Sequence, residues 1–433
     1  MTDPPTAARR HRPALRGPAV GVAAAAGLAA AMGVGRFVFT PLLPIMTDSA
    51  GITAGDGAVI ATGNYAGYLA GALLLSRRPQ WSVRSMFLVW SVLLVASEAA
   101  MAGTAQVGVQ TALRFVAGAA SAAIFIACAA TVAHHRGAGA SPGVAFAGVG
   151  AGIAVTGIYT LLAAPQLSWQ GLWLGSAVLT ALLLIPALLL DIRAEPGSAD
   201  TGTTAGPDPT ARRAWRLLLG SYFAEGVGYI IVGTFLVAAV AGSGSSTAGA
   251  LVWTLVGVCA MPATVAWHRV ARGFGTGPTL VATLGLQATG TAVAAASGSI
   301  AAAVVAAATF GATFLAVVVL TLDFARRLHV PRAAAKLTAG YAVGQVAGPL
   351  IVIPVIGTDF GTAFTIAALI IAFSAALAAA ATRAERRRAT GPASPGTASF
   401  PHPARVRSES ATTGDARAAT ADPSSLHRRS NAR

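Results

Sequence analysis

The sequence predicts an all-α membrane protein of twelve transmembrane helices, arranged as two six-helix bundles. Composition, the spacing of apolar stretches and the placement of arginine carry that prediction. The 433 residues are 55% hydrophobic and 10% charged, whereas soluble domains carry about 25% charged residues. A helix needs roughly 20 apolar residues to cross the ~30 Å hydrocarbon layer. Stretches that meet this lie at about 18–45, 57–76, 84–104, 108–133, 142–164, 170–191, 214–240, 247–267, 277–296, 299–322, 333–356 and 360–382.

The connections alternate in charge. Arg9, Arg10, Arg12 and Arg16 precede the first stretch; Arg77, Arg78 and Arg84 follow the second; Arg136 follows the fourth; Arg193, Arg212, Arg213 and Arg216 follow the sixth. Arg269 and Arg272, then Arg326, Arg327, Arg332 and Lys336, then Arg383 and Arg386 to Arg388 continue the series. The intervening connections contain no Lys or Arg. By the positive-inside rule both termini are expected in the cytoplasm, and the protein is expected to be multi-pass in the inner membrane. The formal charge of +15 is therefore a topology signal and predicts no nucleic-acid partner.

The opening residues have the look of a signal peptide, but the apolar run continues to Met46, too long for a cleaved segment. Residues 1–17 read as a cytoplasmic segment and 18–191 as the first six-helix bundle. A polar, Pro/Gly/Thr-rich linker at 192–213 separates it from the second bundle at 214–382. Residues 383–433 read as a disordered basic cytoplasmic tail. The two halves look like copies: Gly33-Val34-Gly35 matches Gly226-Val227-Gly228 at an offset of 193, and Gly148 and Gly152 match Gly340 and Gly344 at an offset of 192. Parallel repeats of this kind are a transporter architecture.

Soluble-enzyme signatures such as GxxxxGK[ST], HExxH, CxxC and GxSxG are absent, so no enzyme activity and no cofactor are predicted. Cys128 and Cys259 sit in apolar runs as packing residues, and no metal site is expected. The chemistry rests on ionisable groups at membrane depth, where a charge costs roughly 2.5 kcal/mol or more. Arg36 lies about eighteen residues into the first stretch, or ~27 Å from Pro18, somewhat outward of the midplane. Glu225 lies near the midplane of the seventh, and Arg114 about one and a half turns into the fourth. Glu98, near the outer end of the third, is expected to reach headgroups and water in a structural role. The glycines of "GVGAG" at 148–152 and "GQVAG" at 344–348 stand at helix-contact spacing. Gly33, Gly35, Pro41, Pro44, Gly118, Gly148, Gly152, Gly344, Gly348 and Pro349 are the candidate packing and gating positions.

Four segments, "GVGRFVFTPLLPIM" (33–46), "GNYAGYLAG" (63–71), "GVGYIIVGTFL" (226–236) and "YAVGQVAGPLI" (341–351), resemble the major facilitator superfamily, specifically its YbfB/YjiJ-type branch. The resemblance covers residues 18–382, and RxxxGxxxA recurs as Arg114, Gly118 and Ala122. The loop after the second stretch departs from the wider pattern, with Ser76 and no Asp, and "GVGAGIAVTGIY" lacks the antiporter pattern. The resemblance implies that the first, fourth, seventh and tenth helices line a central cavity. The expected function is a secondary transporter of a small organic solute working by alternating access, with coupling to H+ an open option. The alternative is a non-transporting receptor or scaffold that retains the fold. The expected partners are the lipid bilayer and a small-molecule substrate, and the expected state is monomeric. Candidate substrate or coupling residues are Arg36, Arg114, Glu225, Asn64, Tyr68, Tyr229 and Gln345. Arg stays charged whatever its surroundings and anchors a negative group; Glu225 is able to exchange a proton.

Overall fold

Hydrocarbon offers the backbone no hydrogen-bond partners, so each apolar stretch must satisfy its own amides and carbonyls by closing into a helix. The computed structural model describes residues 15, 17–78, 81, 83–193, 209–242, 246–330, 332–356 and 360–390. Among the described residues twelve helices are long and apolar enough to span a membrane, and no strand occurs. They are α1 (Pro18–Ala50), α2 (Ala54–Arg77), α3 (Arg84–Met101), α4 (Val107–His134), α5 (Pro142–Ala163) and α6 (Trp169–Ala187), followed by α7 (Pro209–Ala241), α8 (Ser246–Phe274), α9 (Thr276–Ala296), α10 (Ile300–Arg327), α11 (Ala333–Ile356) and α12 (Phe360–Thr390). Each of the twelve expected stretches holds one of these helices; α3 stops at Met101 and α6 at Ala187, short of the expected ends. The N-terminal segment apart from Leu15 and Gly17, the middle of the linker and the tail from Gly391 lie outside the described residues.

Helices overrun the expected stretches where helix formers continue past the apolar run. α8 runs on through Trp267 to Phe274 and stops at Gly275, whose φ of 88° a side chain rarely adopts. α12 carries its Arg-rich turns to Thr390, so the first residues of the expected tail are helical. The last residues of the expected linker likewise open α7 from Pro209, where proline suits a helix start. Starts follow local capping. Thr53 accepts from the Asp56 amide while the Asp56 carboxylate accepts from the Thr53 amide; Ser141, Ser168 and Ser299 cap α5, α6 and α10.

The burial pattern is inverted relative to a soluble protein. Val92, Leu162, Leu369 and Phe373 face outward, while Arg36, Asn64, Glu98, Gln110, Arg114, Glu225, Gln287 and Gln345 are buried. An apolar skin with polar groups kept inside is the arrangement lipid demands.

The repeat read from the glycines is a repeat of packing. A Cβ at Gly33 would lie 2.4 Å from Gly152 Cα, and one at Gly148 would lie 2.1 Å from the Ala25 carbonyl, so α1 and α5 touch backbone to backbone. In the second half a Cβ at Gly344 would lie 2.4 Å from the Phe223 carbonyl and one at Gly226 2.6 Å from that of Tyr341, which joins α7 to α11 in the same way. A further pair stands 193 residues apart: a Cβ at Gly118 would lie 2.0 Å from the Asn64 carbonyl and one at Gly311 2.3 Å from that of Val256. A Cβ at Gly348 would lie 2.6 Å from the Val227 carbonyl. Without an apolar driving force between helices in lipid, such close approach is what holds them.

The halves α1–α6 and α7–α12 meet through α5 against α8, α2 against α11, and the later part of α1 against α7 and α8. Small residues let α5 and α8 approach along their length, from Gly143 beside Val265 through Gly150 and Gly257 to Gly157 beside Thr254. The earlier part of α1 has its main neighbours in its own half, on α4, α5 and α6.

Candidate functional site

The site grows out of a break in α1. Residues Ala29–Val34 are wound as a π-helix and 35–38 form a turn before regular helix resumes at Phe39. Gly35 donates its amide to Ala30, five residues back, and the Thr40 amide turns to Phe37 at 3.2 Å. Pro41 has no amide to give, and its ring crowds the carbonyl four residues earlier. Carbonyls are thereby released within the span of α1. Such π-bulges recur at functional sites because they re-aim side chains and free backbone groups.

Arg114 takes two of those carbonyls. Its Nη1 donates to Gly35 O at 2.8 Å and its Nη2 to Arg36 O at 2.6 Å, a fork closed on the broken backbone. The guanidinium carbon stands 5.6 Å from the Phe39 ring and 5.8 Å from that of Trp173. Asn64, whose amide donates to Arg114 O at 3.2 Å, ties α2 to the same turn of α4. These two candidates thus act on the scaffold one layer behind the centre.

Arg36 occupies the centre itself. Its guanidinium carbon lies 4.7 Å from the Tyr68 ring, 5.0 Å from that of Tyr65 and 5.5 Å from that of Phe37. Cation–π contacts of this kind are worth about 0.5–2 kcal/mol each, more when dry. Across the interface, Nη2 donates to Gln345 Oε1 and, at 3.5 Å, to the Tyr229 hydroxyl. Gln345 Nε2 donates to that same hydroxyl at 2.8 Å, closing a triangle over three helices. Arg36 Nε is buried without a partner.

The wall continues through residues the motif reading passed over. The Tyr65 and Thr234 hydroxyls lie 2.9 Å apart, and Thr40 donates to Gly233 O at 2.8 Å, both across the two halves. Tyr229 stacks with Tyr341, Phe310 and Phe314, and Tyr341 stacks with Tyr222 at 4.2 Å between centroids. Tyr65 and Tyr341 stand on the same helices as recognised neighbours, whereas Phe314 stands on α10, where no candidate was named; their aromatic character alone did not separate them from ordinary packing.

Glu225 is buried beside this aromatic stack. Its Oε1 accepts from Gln287 Nε2 at 3.3 Å, Oε2 has no partner, and Tyr341 is a further polar neighbour. No ion pair joins Glu225 to Arg36 or Arg114; its carboxylate is met instead by an amide from α9. Glu98 also departs from expectation: it is 0% exposed and both carboxylate oxygens lack partners. It lies three residues from the Met101 end of α3, on a face packed against α4 and α6.

The geometry leaves a fixed positive charge between the halves, walled by aromatic rings and met by amide and hydroxyl acceptors but, among the described residues, by no acid. A desolvated guanidinium of this kind is chemically able to bind an acceptor-bearing or anionic group.

The family model described as "Uncharacterised MFS-type transporter YbfB" matches residues 28–383. Among solved structures the chain is similar to the nucleoside transporter NupG, with a TM-score of 0.65 at 14% identity, covering 84% of this chain and 99% of that one. It is similar also to a D-xylose-proton symporter, with a TM-score of 0.63 at 14% identity, covering 83% and 96%. A chloramphenicol resistance protein of Streptomyces lividans is 31% identical over 198 residues, 44% of this chain and 50% of that protein. The chain thus matches only about half the length of that relative. The solved structures share the fold, and the family model covers most of the sequence: the protein belongs to the YbfB-type family of major facilitator superfamily transporters and is a membrane transporter, not an enzyme.

Proposed function

We propose that the protein moves a small organic solute across the inner membrane by alternating access, with Arg36 as the residue that binds an anionic or strongly accepting group of the substrate. One observation carries this reading: Arg36 is buried at the meeting of the halves, held by α2, α7 and α11, with no acid beside it. In the state described here Gln345 and Tyr229 occupy the positions a ligand's acceptors would take. Aromatic walls from Phe37, Tyr65, Tyr68 and Tyr229 suit a planar or amphipathic body. The name of the Streptomyces lividans relative is consistent with such a solute being a drug-like molecule. The name of the D-xylose-proton symporter is consistent with coupling to H+, for which Glu225 is the candidate. The alternating charge of the connections supports cytoplasmic termini, and a monomer suffices because both halves of the site lie in one chain.

A thermal-shift screen of metabolites and antibiotics on the purified protein tests the binding role, since a cavity ligand stabilises the folded state by mass action. Compounds that stabilise the wild type are expected to lose their effect on Arg36→Ala. Stabilisation that survives the substitution removes Arg36 from the binding site.

The dense packing of the centre, where Arg36, Tyr229 and Gln345 are each at most 3% exposed, also suits a receptor or scaffold that never opens. Access of the site to reagents from both sides separates that reading from transport.

A further inference from the structure

The transport reading leaves one buried acid unused. Glu98, on α3, has both carboxylate oxygens buried without a well-formed hydrogen bond. Its polar neighbours among the described residues are Arg114 from α4 and Thr180 from α6; Arg114 is the one ionisable group among them, and the Thr180 hydroxyl, the donor beside the carboxyl, likewise makes no well-formed bond. An ionised carboxylate in that position would be a buried charge without a hydrogen bond, which is costly. Arg114 offsets it only through space, because its two terminal nitrogens are committed to Gly35 O and Arg36 O. Its Nε, however, is buried and unpartnered. Three orphaned polar groups, the Glu98 carboxyl, the Thr180 hydroxyl and Arg114 Nε, therefore cluster behind the break in α1, in a structure that otherwise satisfies most of its buried polar atoms.

We propose that Glu98 is a proton-binding site of the amino-terminal half, distinct from Glu225, whose protonated acid is set against Thr180 in this state and whose carboxylate pairs with the Arg114 guanidinium once the proton leaves. The step is a simple dissociation: the O–H bond of the acid breaks, the proton goes to water, and the carboxylate gains the charge that Arg114 Nε–H then meets. Arg114 stays charged throughout. Because the same guanidinium clamps the carbonyls of the break, occupancy of Glu98 by a proton bears on the backbone of Arg36, one helix away. The ligand is a proton, and the proposal is independent of what the transporter carries.

Infrared spectroscopy of the purified full chain in lipid nanodiscs tests it without a transport assay. The wild type is expected to show, at neutral pH, a carbonyl band of a buried carboxylic acid that shifts in D2O and vanishes at alkaline pH. Glu98→Gln, which preserves shape and removes the acid, should lose a discrete part of that intensity that Glu225→Gln retains. An undiminished band in Glu98→Gln overturns the proposal. If that variant does not accumulate in folded form, Glu98→Asp serves in its place: a displaced band supports the site, and an unmoved one overturns it. A band that sodium abolishes at constant pH would assign the site to a metal cation and overturn the proton.

Discussion

Arg36 and Tyr229 are 193 residues apart and hold equivalent places in the two halves, yet the guanidinium of one lies 3.5 Å from the hydroxyl of the other. Thr40 and Gly233 stand at the same separation and are also bonded, at 2.8 Å. Equivalent residues touch each other only where a twofold relation passes between them. The broken part of α1 and the matching part of α7 therefore lie along the axis of the repeat. A charge on that axis in one half, answered by a phenol in the other, makes the site asymmetric where the scaffold is not.

The Arg114 fork is expected to be a large contributor to stability. Arg114→Ala leaves two buried carbonyls without donors at about 1–3 kcal/mol each, so roughly 2–6 kcal/mol should be lost. Arg114→Lys should fall between, since an ammonium does not reproduce the planar fork. Unfolding in mixed micelles measures both, and an unchanged Arg114→Ala would show that the break in α1 does not need its clamp.

The repeated glycine contacts predict matched losses in the two halves. Gly33→Ala and Gly344→Ala would drive a methyl to 2.4 Å from backbone atoms of the facing helix, a strain of at least about 3 kcal/mol because backbone yields less than side chain. Gly285→Ala meets nothing within 4 Å and should be neutral. Yield of folded, monodisperse protein separates the three.

The partners of Arg36 are unequal. Gln345→Ala removes the acceptor of a charged donor, worth about 1.5–3 kcal/mol. Tyr229→Phe keeps the ring stack but removes the long 3.5 Å contact to Arg36 and the 2.8 Å acceptor of Gln345 Nε2, a neutral bond, and should cost less, about 0.5–1.5 kcal/mol. Comparable losses in the two variants would mean that Tyr229, rather than Gln345, carries the interaction.

If transport is coupled to protons through Glu225, Glu225→Gln keeps a polar partner for Gln287 and removes only the titratable group. Proteoliposomes carrying the variant should exchange substrate across the membrane but fail to accumulate it when a pH gradient is imposed. Accumulation equal to wild type would clear Glu225 of the coupling role.

The helices were legible because the bilayer imposes a length and arginine marks the ends; boundaries slipped at some ends, as where Arg and Ala carried α12 past its apolar run. Arg36 was legible as a charge with no surface to explain it, and the offset between repeats already paired it with Tyr229. The destination of Arg114 was not, because the carbonyls it takes exist only once the π-wound turn has formed before Pro41. The bond from Gln287 to Glu225 spans 62 residues between two helices, and nothing local to either residue announces it. The place of Glu98 along α3 was readable, but which face of α3 its neighbours would cover was not.

The central claim is that the Arg36 site opens to each side of the membrane in turn. A cysteine at Thr234, which bonds Tyr65 across the interface, reports on it directly in a background lacking Cys128 and Cys259. Membrane-impermeant thiol reagents applied from either face of oriented proteoliposomes should both label Thr234→Cys, and a stabilising ligand should suppress both reactions. Labelling from one face only, or from neither, would contradict alternating access.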